Sequence, residues 1–527
     1  MTLKPTLLAA SLSLGLLTAT LPVLSHAAAP ATATSQAVAW QEAGADADIE
    51  RAFAQARSEK KPLLLYWGAK WCPPCNQLKA TLFNRQDFIE QTRAFVAVHI
   101  DGDSPGAQKL GTRFKVRGYP TMILFTADGA ELTRLPGEID APQVLKVMQL
   151  GLAGGRPVKA VLADARAGKK LNVNEWRLLG FYSWESDQDQ LLPQAQVPAL
   201  LAQLATAAQS VDPETGTRLW LKSLSASENG KGVSADAAQR ERVAKLLASP
   251  TESRTLVDVI SNGAPDILRA LAPQAGPERT ALQAQLETAL KRFEADTSLS
   301  RADRLQALNA RVDLARLDVA KTELYPKLNP ALVKEVKDQA ARADREITDG
   351  YERQAVISSA AYLLGQTGQW KDSDELLKAG LAKSHSPYYL MSGLANNAKK
   401  QGRKDEALRW SEEAFNKSQG PATRLQWGAG YVANLVELAP QDSERIEKTA
   451  ALLFNEAAQD KGSFYERSAR SLQRVGKSLQ QWNAKGQFDP SIKRLRAQLD
   501  GICAKVEVAD KQRATCEALL PKPGKAG

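Results

Sequence analysis

Cysteine and histidine are scarce in this chain, with four of the first and three of the second among 527 residues. Four cysteines are too few for a scaffold in which paired sulfurs stand in for a core. Three histidines leave a zinc site of ordinary composition short of ligands. Beyond the N-terminal stretch no segment approaches the roughly 20 apolar residues that span a bilayer. No phosphate-binding glycine loop, serine triad or carboxylate pair stands out. Positive charge is in excess, at +10, but is not concentrated, the densest basic run being "KKQGRK" at 399–404. An excess scattered among acidic residues suits a solvated surface with weak attraction to acidic partners, and speaks against a nucleic-acid partner.

What is present begins with "MTLKPTLLAASLSLGLLTATLPVLSHAAAP", where Lys4, an apolar stretch and the small-residue site Ser25-His26-Ala27 follow in order. That order predicts a secretory signal peptide over residues 1–27 and a linker over 28–37. Thr18, Thr20 and Pro22 break the apolar run, and no basic stop-transfer block follows it, which disfavours a membrane anchor. No cysteine lies near the cut to carry a lipid. The expectation is a soluble, exported mature chain without a membrane span, in a periplasm first and outside the cell second. In such a compartment disulfides form and persist.

The length exceeds what one core organises, so several domains are expected. A helix from Asp46 leads into "PLLLYWGA", an apolar run of strand length, and the segment holding Cys72 and Cys75 opens a helix with proline in its first turn. "AFVAVHIDGD" is a second buried strand, "AQKLGTRFKV" a short helix, and "TMILF" and "ELTRL" are strands joined at Asp128-Gly129. "APQVLKVMQLGL" closes an α/β domain over 38–152. Thereafter strand signals nearly vanish and amphipathic helical stretches run to the end, read as an α-helical domain over 153–345 and a second helical region over 346–527. In the latter, Gly368 and Gly402 align at a step of 34 residues, with Ala361/Ala395, Leu364/Ala398, Ser373/Ala407 and Gly380/Ala414 matching. This resembles tetratricopeptide repeats, although the aromatic and proline positions of that family are mostly missing. The fold class expected is an α/β domain followed by stacked helical hairpins.

Two cysteines three positions apart could clamp a metal, close a structural disulfide or exchange electrons. Cys72 falls at a helix N-terminus, where the dipole and free N–H groups stabilise a thiolate. Cys75 lies one turn on, placed to resolve a mixed disulfide formed at Cys72. Zinc would need two further ligands, and His99 is the only histidine in the domain. No metal or cofactor is therefore expected. "WCPPC" after an apolar strand, followed by "DGDSPGAQKLGTRFKVRGYPT", is similar to a thioredoxin-fold domain. The resemblance implies that Trp71 shields the pair, that Pro74 is the proline usual between the cysteines, and that Pro120 is cis beside Cys72; Trp71, Pro73, Pro74, Tyr119 and Pro120 are expected to shape the substrate groove. It also implies that Tyr119 offers its backbone to an extended substrate segment. The implied partners are protein thiols or disulfides and an unidentified redox partner; nothing specifies an oligomeric state.

The chain departs from that family where a buried aspartate is usual, with Tyr66 in its place, and where a facing lysine is usual, a position assigned here to Ala97. The acid–base pair that helps deprotonate the resolving cysteine is thus missing. "TLFNRQDFIEQTRAF" lengthens the region after the catalytic helix, as in periplasmic thioredoxin-like domains. Two prolines remove two N–H donors from the turn around Cys72, so its thiolate is less stabilised and the couple more reducing. This favours a reductase or isomerase over a strong oxidant.

Cys503 and Cys516, thirteen residues apart, are read first as a structural disulfide pinning the last hairpin, with free thiols or an electron relay to Cys72 as alternatives. Trp176, Tyr182, Trp184, Trp410 and Trp427 are read as helix packing and His385 as a turn residue. The leading expectation is an exported thiol–disulfide oxidoreductase with a helical partner-binding domain. Its rival is a non-catalytic or chaperone-like scaffold whose α/β domain docks clients.

Overall fold

The computed structural model describes residues 37–135, 140–186, 190–228, 231, 233 and 235–521. The expected leader, and the linker up to residue 36, lie outside these residues. The N-terminal part is an α/β domain containing β1 (Gln41–Glu42), α1 (Asp46–Glu59), β2 (Leu63–Gly68), α2 (Pro73–Thr81), α3 (Gln86–Thr92) and β3 (Val96–Asp101). It continues with α4 (Ala107–Phe114), β4 (Thr121–Phe125), β5 (Glu131–Leu135) and α5 (Ala141–Leu152). The sheet order is β1-β3-β2-β4-β5, with β3 parallel to β1 and β2, and with β4 antiparallel to both β2 and β5.

Helices on both faces explain why β2 reads as unbroken apolar sequence. Leu63, Leu65 and Trp67 pack under α1 and α4, while Leu64 and Tyr66 face Leu78, Phe88, Val144 and Met148 on the other side. Within the lengthened segment a separate helix, α3, forms because Phe88 and Ile89 find buried places. Its presence and the two-residue β1 go beyond the order read from the sequence.

From Val158 onward the regular elements among the described residues are all helices, and successive helices pack against one another. The helices Gly350–Gln366 and Pro387–Lys400 end at the same kind of turn. Gly368 and Gly402 take φ of +79° and +73°, a region that an L side chain rarely adopts. At these turns Gln369 N donates to Leu364 O at 2.8 Å and Arg403 N to Ala398 O at 2.9 Å. The 34-residue step is therefore a repeated turn joining helices whose contact faces are small and apolar.

The two parts of the chain meet over α2 and α4. The helix Gly350–Gln366 packs on α2, and the helix Glu466–Trp482 packs on α4. No helix among the described residues is long and apolar enough to cross a membrane.

Candidate redox site

Cys72 is the N-cap of α2, with extended backbone (φ −67°, ψ 116°), and prolines at the next two positions begin the helix without losing an intrahelical bond. Cys72 and Cys75 are disulfide-bonded, with Cα atoms 5.3 Å apart. The Cys75 N–H donates to Cys72 Sγ at 3.2 Å, the bond that Pro73 and Pro74 cannot make. Asn76 fixes the approach to this turn by donating from its amide to Lys70 O at 2.9 Å and Cys72 O at 2.8 Å. Nothing in the pattern of the sequence singled out Asn76; its burial is what reveals it.

The Tyr119–Pro120 peptide is cis. Tyr119 O lies 3.6 Å from Cys72 Sγ, so the loop lies against the first sulfur. Its ring turns away from solvent onto Gly102, where any side chain would overlap it. Gln108 holds it there, donating to Tyr119 Oη at 3.2 Å and to Gly102 O at 2.6 Å.

Side chains remote in sequence complete the surroundings. Trp71 Nε1 donates to Thr423 Oγ1 at 2.9 Å, and the indole stacks on Tyr389 (5.8 Å) and meets Trp427 edge-on (4.9 Å). Gln354 donates to Trp71 O at 2.9 Å. Arg467 lies over the rings of both Tyr119 and Trp71, its Cζ 5.1 and 5.5 Å from their centroids. Asp103 gathers these groups. It accepts from Thr423 N at 2.7 Å, from Thr423 Oγ1 at 2.5 Å and from Arg467 Nη2 at 3.0 Å. The helix Pro421–Leu438 has no cap of its own at Gly420, so a carboxylate from the α/β domain caps it across the interface. Both cysteines are consequently buried, at 2% and 0% exposure. His385, in the turn before Pro387, sits 3.1 Å from Lys70 O, and burial holds its imidazole below the usual histidine range.

One expectation needs correction and another is extended. Ala97 does not face Tyr66: the register pairs Ala97 with Leu64 and Tyr66 with His99, whose rings stack at 5.0 Å. A parallel ladder sets which positions face each other, and sequence alignment cannot read that register. Tyr66 is buried with an unpartnered hydroxyl, and desolvation pushes its ionisation up, so it is no base for Cys75. Trp427 is core, as read, but it also forms part of the wall around Trp71.

Cys503 and Cys516 are also disulfide-bonded, with Cα atoms 5.7 Å apart. They sit among Leu495, Leu499 and Leu519, in a cluster separate from that of Cys72 and Cys75. Among the described residues no group of three or more His, Cys, Asp or Glu side chains could hold a metal ion.

A cysteine at a helix N-terminus, a second sulfur one turn on and a cis-proline loop against the first form an arrangement in which dithiol–disulfide exchange is chemically possible. Residues 49–151 match the family model of a thioredoxin-like domain. There is also similarity to proteins named thiol:disulfide interchange protein. DsbD 1 of Pseudomonas aeruginosa is 30% identical over 120 residues, which is 22% of this chain and 20% of the relative. DsbD of Klebsiella pneumoniae is 30% identical over 117 residues, 21% of this chain and 19% of the relative. DsbD of Cronobacter sakazakii is 33% identical over 99 residues, 18% and 17% respectively. The chain thus spans about a fifth of the length of the curated relatives it matches. A thioredoxin from Thermus thermophilus, solved in solution, matches at 27% identity over 19% of this chain and 80% of its own, with a TM-score of 0.18.

Proposed function

We propose that this chain is an exported thiol–disulfide oxidoreductase of a periplasm, acting on protein disulfides as a reductase or isomerase. The observation that carries the reading is Cys72 at the N-cap of α2, with the Cys75 N–H on its sulfur and the cis-proline loop at its side. In the reduced enzyme the Cys72 thiolate attacks a client disulfide, forming a mixed disulfide and expelling one client thiolate. The Cys75 thiolate then attacks Cys72 Sγ and expels the second client thiolate, leaving the Cys72–Cys75 disulfide. The client gains two electrons, which a dithiol partner protein must return to the enzyme. Trp71, Pro73, Pro74, Tyr119 and Pro120 form the walls of the reacting site. Export rests on the leader-like start and on the interchange proteins that the domain resembles. The helical part, tetratricopeptide-like over 346–527, selects partners.

Direction follows from the two prolines, which leave one N–H on the sulfur where a turn without them offers more. A redox titration against glutathione should give a potential well below the roughly −120 mV of strong periplasmic oxidants; a value near that figure refutes the direction. Insulin reduction by the wild type, with capture of clients as mixed disulfides by Cys75→Ser, tests the activity itself.

The burial of both sulfurs supports a second reading, a binding scaffold whose thioredoxin-like domain only docks. An inactive wild type, together with a Cys72→Ser/Cys75→Ser chain that still sustains the cellular phenotype, would establish that reading instead.

A further inference from the structure

A buried cation from the helical region stands behind the rings that wall the redox pair. The Arg467 side chain is only 10% exposed, and its Cζ lies 5.1 Å from the Tyr119 ring and 5.5 Å from the Trp71 ring. Trp71 and Tyr119 in turn pack against the cluster of Ala69, Cys72 and Cys75. One layer of rings therefore separates the guanidinium from the sulfurs. Its anchoring is one-sided. Nη2 donates to Asp103 Oδ1 at 3.0 Å and to Thr423 Oγ1 at 3.2 Å, while Nε and Nη1 are buried without a partner among the described residues. Asp103 also accepts from the N–H and the hydroxyl of Thr423, so its charge is better satisfied than that of the arginine it holds. A guanidinium with unpaired N–H groups in a buried site keeps much of its field, because little solvent screens it.

Local structure alone does not favour a cation here. Arg467 is the second residue of the helix Glu466–Trp482, the end at which the dipole favours anions. Glu466 before it takes φ of +37°, a left-handed backbone that is strained for a residue with a side chain. The Glu466 carboxylate turns to Arg470, at 2.9 Å, and leaves Arg467 to Asp103. The Arg467 N–H donates to Gln108 Oε1 at 2.9 Å, and Gln108 Nε2 donates to Tyr119 Oη at 3.2 Å. The strained helix start is thus fastened to the cis-proline loop, with the cation held against both rings.

We infer that Arg467 is a positioning residue of the redox reaction: its charge, acting through the Trp71 and Tyr119 rings, stabilises the Cys72 thiolate. The inference rests on the oxidoreductase reading above and gives the helical region a part in its chemistry. When a dithiol partner is oxidised to its disulfide, two electrons break the Cys72–Cys75 bond. One partner proton ends on Cys75, the other passes to water, and Cys72 carries the new negative charge. Pro73 and Pro74 withhold two N–H donors from that sulfur, and Arg467 offsets part of the loss. The other charged groups around this wall are Lys70, Lys79, Asp101 and His385 on the α2 side, with Glu466 and Arg470 on the helix itself. All of them remain in every variant below, so the comparison isolates Arg467 and Asp103.

The test reduces the Cys72–Cys75 pair of the full chain and follows iodoacetamide alkylation of Cys72 against pH, located by mass measurement. The midpoint reports ionisation of the thiol, whereas loosening of the wall changes the plateau rate. Arg467→Met should raise the midpoint by about half a pH unit or more. Arg467→Lys, which keeps the charge, should recover at least half of that shift. Asp103→Asn removes the opposing charge, keeps an acceptor for Thr423 and should move the midpoint downward. At a pH well above the midpoint, equilibration with glutathione should favour the disulfide of Arg467→Met about threefold, roughly 15 mV at roughly 30 mV per tenfold. An unmoved midpoint in Arg467→Met overturns the inference, as does an equal shift in Arg467→Lys. Shifts of the same sign in Arg467→Met and Asp103→Asn overturn it too, because they report packing. Should Arg467→Met fail to fold, Arg467→Gln, which keeps hydrogen-bonding capacity, takes its place. Failure of the redox reading looks different: the midpoints then move as expected in a chain that reduces no insulin.

Discussion

The two disulfides of this chain are alike in burial and differ in almost everything else. Cys72 begins a helix, whereas Cys503 is the last residue of the helix Asp489–Cys503. The N-terminal dipole and a free N–H favour a thiolate on Cys72, while the carbonyl end of a helix disfavours one on Cys503. Cys72 is flanked by a polar network and half-exposed prolines that border a cleft; Cys503 and Cys516 are flanked by leucines. Burial alone therefore does not distinguish the two pairs, and position on the helix does. Substitutions give the largest contrast. Cys72→Ser should reduce insulin reduction more than 100-fold, to the uncatalysed background, and Cys503→Ser should leave turnover within about twofold, both read by turbidity. Loss of turnover in a folded Cys503→Ser would reinstate the relay between the pairs.

How much of this difference the sequence carries can be judged from particular residues. The helix start at Cys72 is readable because Pro73 and Pro74 tolerate only a first turn, and the α/β order is readable because buried strands and amphipathic helices alternate. The residues that close the site are not. Thr423 and Arg467 meet Trp71, Tyr119 and Asp103 across more than 300 positions, and no local pattern marks them. Asp103 lies in a readable turn, but its task, capping a helix of the other region, exists only in the assembled fold. His99 opposite Tyr66 is a fact of strand register, which a motif comparison passes over.

Stability should reverse the order of the two pairs. Removing the second bond with Cys503→Ser/Cys516→Ser frees a loop of about 13 residues and should cost roughly 3 kcal/mol in the chain-entropy model. Urea unfolding followed by circular dichroism measures it. A loss as large from Cys72→Ser/Cys75→Ser, whose loop is far shorter, would erase the distinction between structural and reactive bonds.

A smaller effect is expected at the contact that keeps the reactive pair covered. Asp103→Ala removes the cap of the helix Pro421–Leu438 and the partner of Arg467, which should cost about 1–2 kcal/mol, the range for a lost helix cap. The same change should speed reduction of Cys72–Cys75 by a water-soluble phosphine several-fold, followed by thiol alkylation and mass measurement. Cys503–Cys516 serves as the internal control. If both bonds become more reducible together, the effect is general loosening and the cover is not specific to Cys72.

The least effect concerns pH, which must be separated from the cysteines before thiolate titrations of the two pairs are compared. Burial, reinforced by the neighbouring Glu335 carboxylate, pushes the Glu294 carboxyl up to about 8 even though it bonds to Arg311 at 2.8 Å. The unfolded chain releases this proton near 4.5, so between about 4.5 and 8 the folded state binds more protons than the unfolded one. Stability from this group is therefore lost as pH rises through that window, which overlaps the range in which thiols ionise. Glu294→Gln removes the titration, and Arg311 keeps Glu335 at 2.9 Å. The fall in melting temperature between pH 5.5 and 8.5 should narrow by about 2–4 °C, the shift that about 1 kcal/mol produces in a domain of some 200 residues. With that slope removed, any pH dependence left in the reducibility of Cys72–Cys75, and absent from Cys503–Cys516, belongs to the helix N-terminus. An undiminished fall in Glu294→Gln would assign the slope to other groups.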